Sequence, residues 1–133
     1  PVIAAALLVA ACAPGLGKES EKRSADIACD GIADCEKAVG ELREADARMD
    51  RAMNDAISQI EACQGQNTTR CYNWQRAIKL LENEQKAWLA WRIAHCDVFA
   101  FGMEGTSADG TLRAVCRTDL AKKRAEELDK IMR

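Results

Sequence analysis

The chain has no C-x-x-C motif and only one histidine, His95, so the common zinc ligand sets are missing and no metal is expected. It also lacks a phosphate-binding loop, a nucleophile triad and any alternating strand pattern or internal repeat. Positive charge is not in excess: 19 basic residues face 21 acidic ones, which argues against a nucleic-acid partner. The apolar run Val2 to Ala11 is too short to span a membrane. Ten helical residues at ~1.5 Å each cover about half of a hydrocarbon core.

That run does match the apolar core of a secretory signal, closed by small residues. It ends in Val9-Ala10-Ala11-Cys12, which resembles the lipobox of bacterial lipoproteins. On this reading residues 1–11 are a signal remnant. Cys12 carries lipid and anchors the chain to a membrane, the outer membrane being favoured. Residues 12–28 form a flexible tether, because Pro14, Gly15, Gly17 and the charged GKESEKRS block discourage packing. Residues 29–133 form one helical domain.

The seven cysteines then become an even six: Cys29, Cys35, Cys63, Cys71, Cys96 and Cys116. Export places them where disulfides persist. Hydrophobic residues at 48% and charged residues at 30% suit a globular domain of this size.

The domain reads as helix. From Asp34 to Cys63 there is no proline, and Leu42, Ala45, Met49, Ala52, Ala56 and Cys63 recur at steps of three and four between charges, skipping only Gln59. GQNTT, from Gly65, marks a turn. A second helix is expected from about Thr69 to Phe101, with Trp74, Ile78, Leu81, Gln85, Trp88, Arg92 and Cys96 on one face. FGMEGTSADG ends it. A third helix is expected from Thr111, with Leu112, Val115, Cys116, Leu120, Arg124, Leu128 and Ile131 inward. The expected fold class is all-α: an antiparallel bundle of three helices with disulfide-stapled connections.

Six cysteines allow 15 pairings, and spacing alone does not select among them. An i, i+6 pair within a helix lies ~9 Å apart along the axis, too far to bridge, so a Cys29–Cys35 bond requires DGIAD to loop. Nearest-neighbour pairing is the expectation: Cys29–Cys35, Cys63–Cys71 and Cys96–Cys116. Each staple then contributes roughly 2.5–3.5 kcal/mol through loop entropy.

The segment Leu81-Glu-Asn-Glu-Gln85-Lys-Ala-Trp88-Leu-Ala-Trp91-Arg92-Ile-Ala-His-Cys96 resembles the signature of the LprI-like lysozyme inhibitor family. That signature has the form L, three residues, Q-x-x-W-x-x-[YW]-R, three residues, C. Cys116, Arg124 and Leu128 continue the match downstream, and Cys29, Cys35 and Ala45-Asp46 fit it upstream. The chain departs from the pattern at Met49-Asp50, Met53 and Ala121, and the Cys63/Cys71 pair is an addition. The resemblance implies an envelope protein whose partner is lysozyme, with no cofactor. The alternative class is an envelope interaction module, an immunity protein or structural adaptor without activity on lysozyme.

Most motif residues read as structural. Gln85 and Arg92 share the Trp88 stripe, and Arg92 can pair with a carboxylate of another helix, such as Asp46, with its stem over Trp88. Trp74, Trp88 and Trp91 read as core or seam residues. Asp46 and Asp50, at i and i+4, read as a solvated pair. His95 points ~100° away from Cys96 around the helix, which rules out a nucleophile–base dyad. The chain therefore reads as a non-enzyme. Lysozyme works with carboxylates in a cleft usually ringed by positive charge, so an inhibitor needs a protruding acidic or polar loop. Met103, Glu104, Thr106, Ser107 and Asp109 are the candidates for that loop.

Overall fold

The computed structural model describes residues 16–69 and 71–131, and among them four helices: α1, Leu16–Ser24; α2, Ala33–Ala62; α3, Trp74–Phe99; and α4, Asp109–Leu128. Cys12 and the expected signal remnant lie outside the described residues. No helix among the described residues is long and apolar enough to cross a membrane.

The fold is all-helical, with one more helix than expected. A flexible tether was expected across residues 12–28, yet Leu16–Ser24 is helical and Ser20 and Ser24 are buried. The second helix begins at Trp74 rather than near Thr69, after a turn bridged by Cys63 and Cys71.

α2 and α4 meet along a seam of small residues. Ala45, Ala52 and Ala56 of α2 face Ala121 and Ala125 of α4 in a cluster completed by Met49, Ile60, Leu81 and Leu128. Alanine lets two backbones approach closely and costs no rotamer entropy when buried. The expected inward face of the last helix holds at Cys116, Arg124 and Leu128 but shifts toward small residues elsewhere. Val115 is exposed, Leu112 and Leu120 are only half-buried, and the fully buried positions step through Ala114, Thr118, Ala121, Ala125 and Leu128.

A second cluster gathers Ile27, Cys35, Ala38, Val39, Leu42 and Ala114 at the start of α2 and α4. Here Gly110 allows a close approach. A Cβ at that position would stand 2.7 Å from Cys35 Sγ and 3.0 Å from the Ala28 carbonyl oxygen. Three disulfides join sequence neighbours: Cys29–Cys35, Cys63–Cys71 and Cys96–Cys116. The segment between Cys29 and Cys35 does loop, through Asp30 and Gly31 at positive φ.

Candidate functional site

The motif side chains of α3 turn inward and hold it to its neighbours. Arg92 donates from Nη1 to Asp46 Oδ1 at 2.5 Å and from Nη2 to Asp46 Oδ2 at 3.2 Å, across α3 and α2. Both side chains are essentially inaccessible, at 1% and 0% exposure. The expectation of a solvated Asp46–Asp50 pair is thus corrected for Asp46, whose carboxylate is buried and charge-compensated, as low-dielectric surroundings require.

Gln85 extends the layer. Its Oε1 accepts from Arg124 Nε of α4 at 2.9 Å, and its amide lies 3.5 Å from Met49 Sδ of α2. Arg124 also pairs with Glu84 and Glu127. The guanidinium carbons of Arg92 and Arg124 stand 5.3 and 5.7 Å from the Trp88 ring centroid, within cation–π range. Leu81 and Leu128 fill the apolar cluster beside them. Trp91 instead lies half-exposed, stacked on His95. The charged groups of this layer pair with one another, although the buried Arg92 Nε has no hydrogen-bond partner, and their arrangement positions the helices.

Two partly buried arginine contacts escaped the sequence reading. Arg117 of α4 is fully buried and donates to Asp26 at 2.8 and 2.7 Å. The bond to Arg117 holds the Asp26 carboxyl below the usual range. Arg23 of α1 reaches Asp46 Oδ2 at 3.2 Å and Asp50 Oδ2 at 2.5 Å. Burial still pushes the Asp50 carboxyl up, against the pull of Arg23. The helical spacing of Arg117 from Ala114 and Ala121 was the available clue to its burial.

The connection between α3 and α4 forms a tip at the Cys96–Cys116 end. Thr106 donates its hydroxyl to the Met103 carbonyl at 2.7 Å and accepts from the Ala108 N–H at 3.3 Å. Asp109 pairs with Arg113, and Arg113 also pairs with Asp97. Thr106 and Asp109 therefore build the loop. Glu104 and Ser107 are exposed, and Glu104 accepts the Gly102 N–H at 3.0 Å.

The tip also exposes large apolar side chains, of which the loop reading had named Met103 alone. Phe101 is 81% exposed, Val98 75%, Phe99 58% and Met103 38%. Four large apolar side chains within six positions form a collar beside Glu104, the kind of exposed group that marks an interaction site. A neighbouring cleft of about 420 Å³ lies between residues 26–32 and 105–113, but its Asp26 and Asp109 are already engaged by arginines. No group of three or more potential metal ligands exists among the described residues.

The family model for the lysozyme inhibitor LprI matches residues 24–128. The chain belongs to the LprI lysozyme inhibitor family. The match encloses the three disulfides, the buried charged layer and the exposed tip, and it begins at the last residue of α1. An uncharacterized protein of Rhizobium meliloti (strain 1021) is 26% identical over 109 residues, covering 74% of this chain and 78% of its own length. No solved structure matches. The activity named for the LprI family is inhibition rather than catalysis.

Proposed function

We propose that this LprI-family protein is a lipid-anchored component of the bacterial cell envelope that binds and inhibits lysozyme on the periplasmic side. The family match across the helical body carries the reading. The apolar run closed by Val9-Ala10-Ala11-Cys12 supports export and anchoring, because it suits a signal core followed by a lipobox.

The α3–α4 tip is the proposed contact. Phe101, Val98 and Met103 supply apolar area that loses water on docking, and Glu104 supplies a carboxylate for basic groups around the cleft. Ser107 lies on the same loop as an exposed hydroxyl. The buried layer of Asp46, Gln85, Arg92 and Arg124 serves the fold that presents the tip.

Digestion of purified cell walls by lysozymes of several types, with and without the protein, tests the inhibition. Slowed digestion by at least one type is expected, and undiminished digestion by all of them rejects it. The anchor has a separate test. Cys12→Ser should abolish membrane partition and fatty-acid labelling in cells that process lipoproteins, and an unlabelled, soluble wild type would refute the lipidation.

A further inference from the structure

α1 is fastened to the bundle in a different way from the other helices. Residues Lys18 to Ser24 include no apolar side chain, so this stretch docks through polar groups. Arg23 bridges Asp46 and Asp50, and Arg43 Nε donates to Ser24 Oγ at 3.1 Å. The next apolar anchor along the chain is Ile27, which belongs to the cluster around Cys35 and Leu42. Such a contact forfeits the burial of about 25 cal/mol per Å² that holds α2 to α4. Part of its Coulombic gain is also cancelled by desolvating Asp50, whose carboxyl is raised by burial despite Arg23.

Loss of α1 gives up the 3.5 Å bond from Arg117 Nη1 to the Arg23 carbonyl, but Arg117 keeps both bonds to Asp26. Asp46 keeps both hydrogen bonds from Arg92 when Arg23 leaves, so no buried carboxylate is orphaned. Asp50 gains water. Unravelling is checked at Cys29–Cys35, just ahead of which Asp26 is bound to Arg117. A nine-residue helix is also too short to persist alone in water, isolated helices below about 12–15 residues being marginal, so undocking melts it.

We propose that α1 is a detachable strap, held across Asp46 and Asp50 by Arg23, which leaves the bundle while the disulfide-bonded body stays folded. Its consequence rests on the lipid-anchor reading. Four Cα-to-Cα steps lead from Cys12 to Leu16 and can span at most about 14 Å, whereas the seventeen steps from Cys12 to Cys29 can span about 60 Å once α1 melts. The strap thus sets how far the inhibitory tip reaches from the membrane.

Amide hydrogen exchange on the full oxidised chain tests the strap without reference to lipid. The amides of residues 20–24 should exchange at least about tenfold faster than those of Met49 and Ala121, through an opening of their own. Arg23→Gln should accelerate the α1 amides by a further factor of about ten while leaving Met49 and Ala121 unchanged. Equal protection of α1 and the α2 core, equal acceleration of all helices in Arg23→Gln, or no change in α1 would each overturn the proposal. Failure of the anchor reading shows separately, in the membrane partition of Cys12→Ser.

Discussion

Asp46 and Arg92 form a two-pronged ion pair with almost no solvent access, at 2.5 and 3.2 Å, in the layer where α2 and α3 meet. Desolvating both charges is costly, so the pair contributes to register more than to net stability. Removing Asp46 leaves Arg92 buried without its carboxylate, and removing Arg92 leaves Asp46 only the single bond from Arg23. Asp46→Ala and Arg92→Leu should therefore each destabilise the protein by about 3–5 kcal/mol in urea unfolding. The double variant Asp46→Leu/Arg92→Met should recover much of that loss. Single variants that unfold like wild type would contradict the burial described here.

Two glycines in helices predict opposite outcomes. An added Cβ at Gly110 meets Cys35 Sγ at 2.7 Å, and that sulfur is fixed by its bond to Cys29. Gly110→Ala should cost about 1–3 kcal/mol by overpacking. Gly40 lies within α2 with nothing within 4 Å of its added Cβ. Gly40→Ala should stabilise by about 0.5–1 kcal/mol, because alanine loses less backbone entropy in a helix. Denaturant midpoints of the two variants, moving in opposite directions from wild type, provide the check.

Acid should weaken the joint between Asp26 and Arg117. The folded carboxyl of Asp26 is held below its ordinary value of 3.8, so its stabilising contribution is present above that value and lost as pH falls through the folded pKa. Asp50 acts with the opposite sign. Its raised pKa makes the folded state bind a proton more readily than the unfolded state, which partly masks acid loss. Asp26→Asn should therefore be less stable than wild type near neutrality and converge on it in strong acid. A stability difference between the two that does not change with pH would contradict the assignment.

The parts of the fold that follow local periodicity were legible in the sequence. α2 shows its inward face through Leu42, Ala45, Met49, Ala52 and Ala56, set between charges, and all five are buried. In α4 Cys116, Arg124 and Leu128 were legible, but the close seam with α2 also selects Ala114, Ala121 and Ala125 and leaves Val115 outside. α1 was misjudged because its fastening is nonlocal. The Arg23 and Arg117 contacts span 23, 27 and 91 residues, and no local pattern reveals them. At the tip, Glu104 stood out by charge. Val98, Phe99 and Phe101 were not singled out, because they lie off the inward face that Cys96 and Ala100 bury.

The inhibition constant of the wild-type protein for a sensitive lysozyme, compared with that of a tip variant carrying Phe101→Ser and Glu104→Gln, tests the central claim most directly. Glutamine keeps an acceptor for the Gly102 N–H while removing the charge, so the loop should hold its shape. Circular dichroism establishes that the helices are retained. Wild type should inhibit, and the variant should lose about a hundredfold or more, roughly 2.8 kcal/mol at 1.4 kcal/mol per decade. Equal inhibition by the two proteins would contradict the tip as the lysozyme contact, and a wild type that inhibits no lysozyme type would contradict the account as a whole.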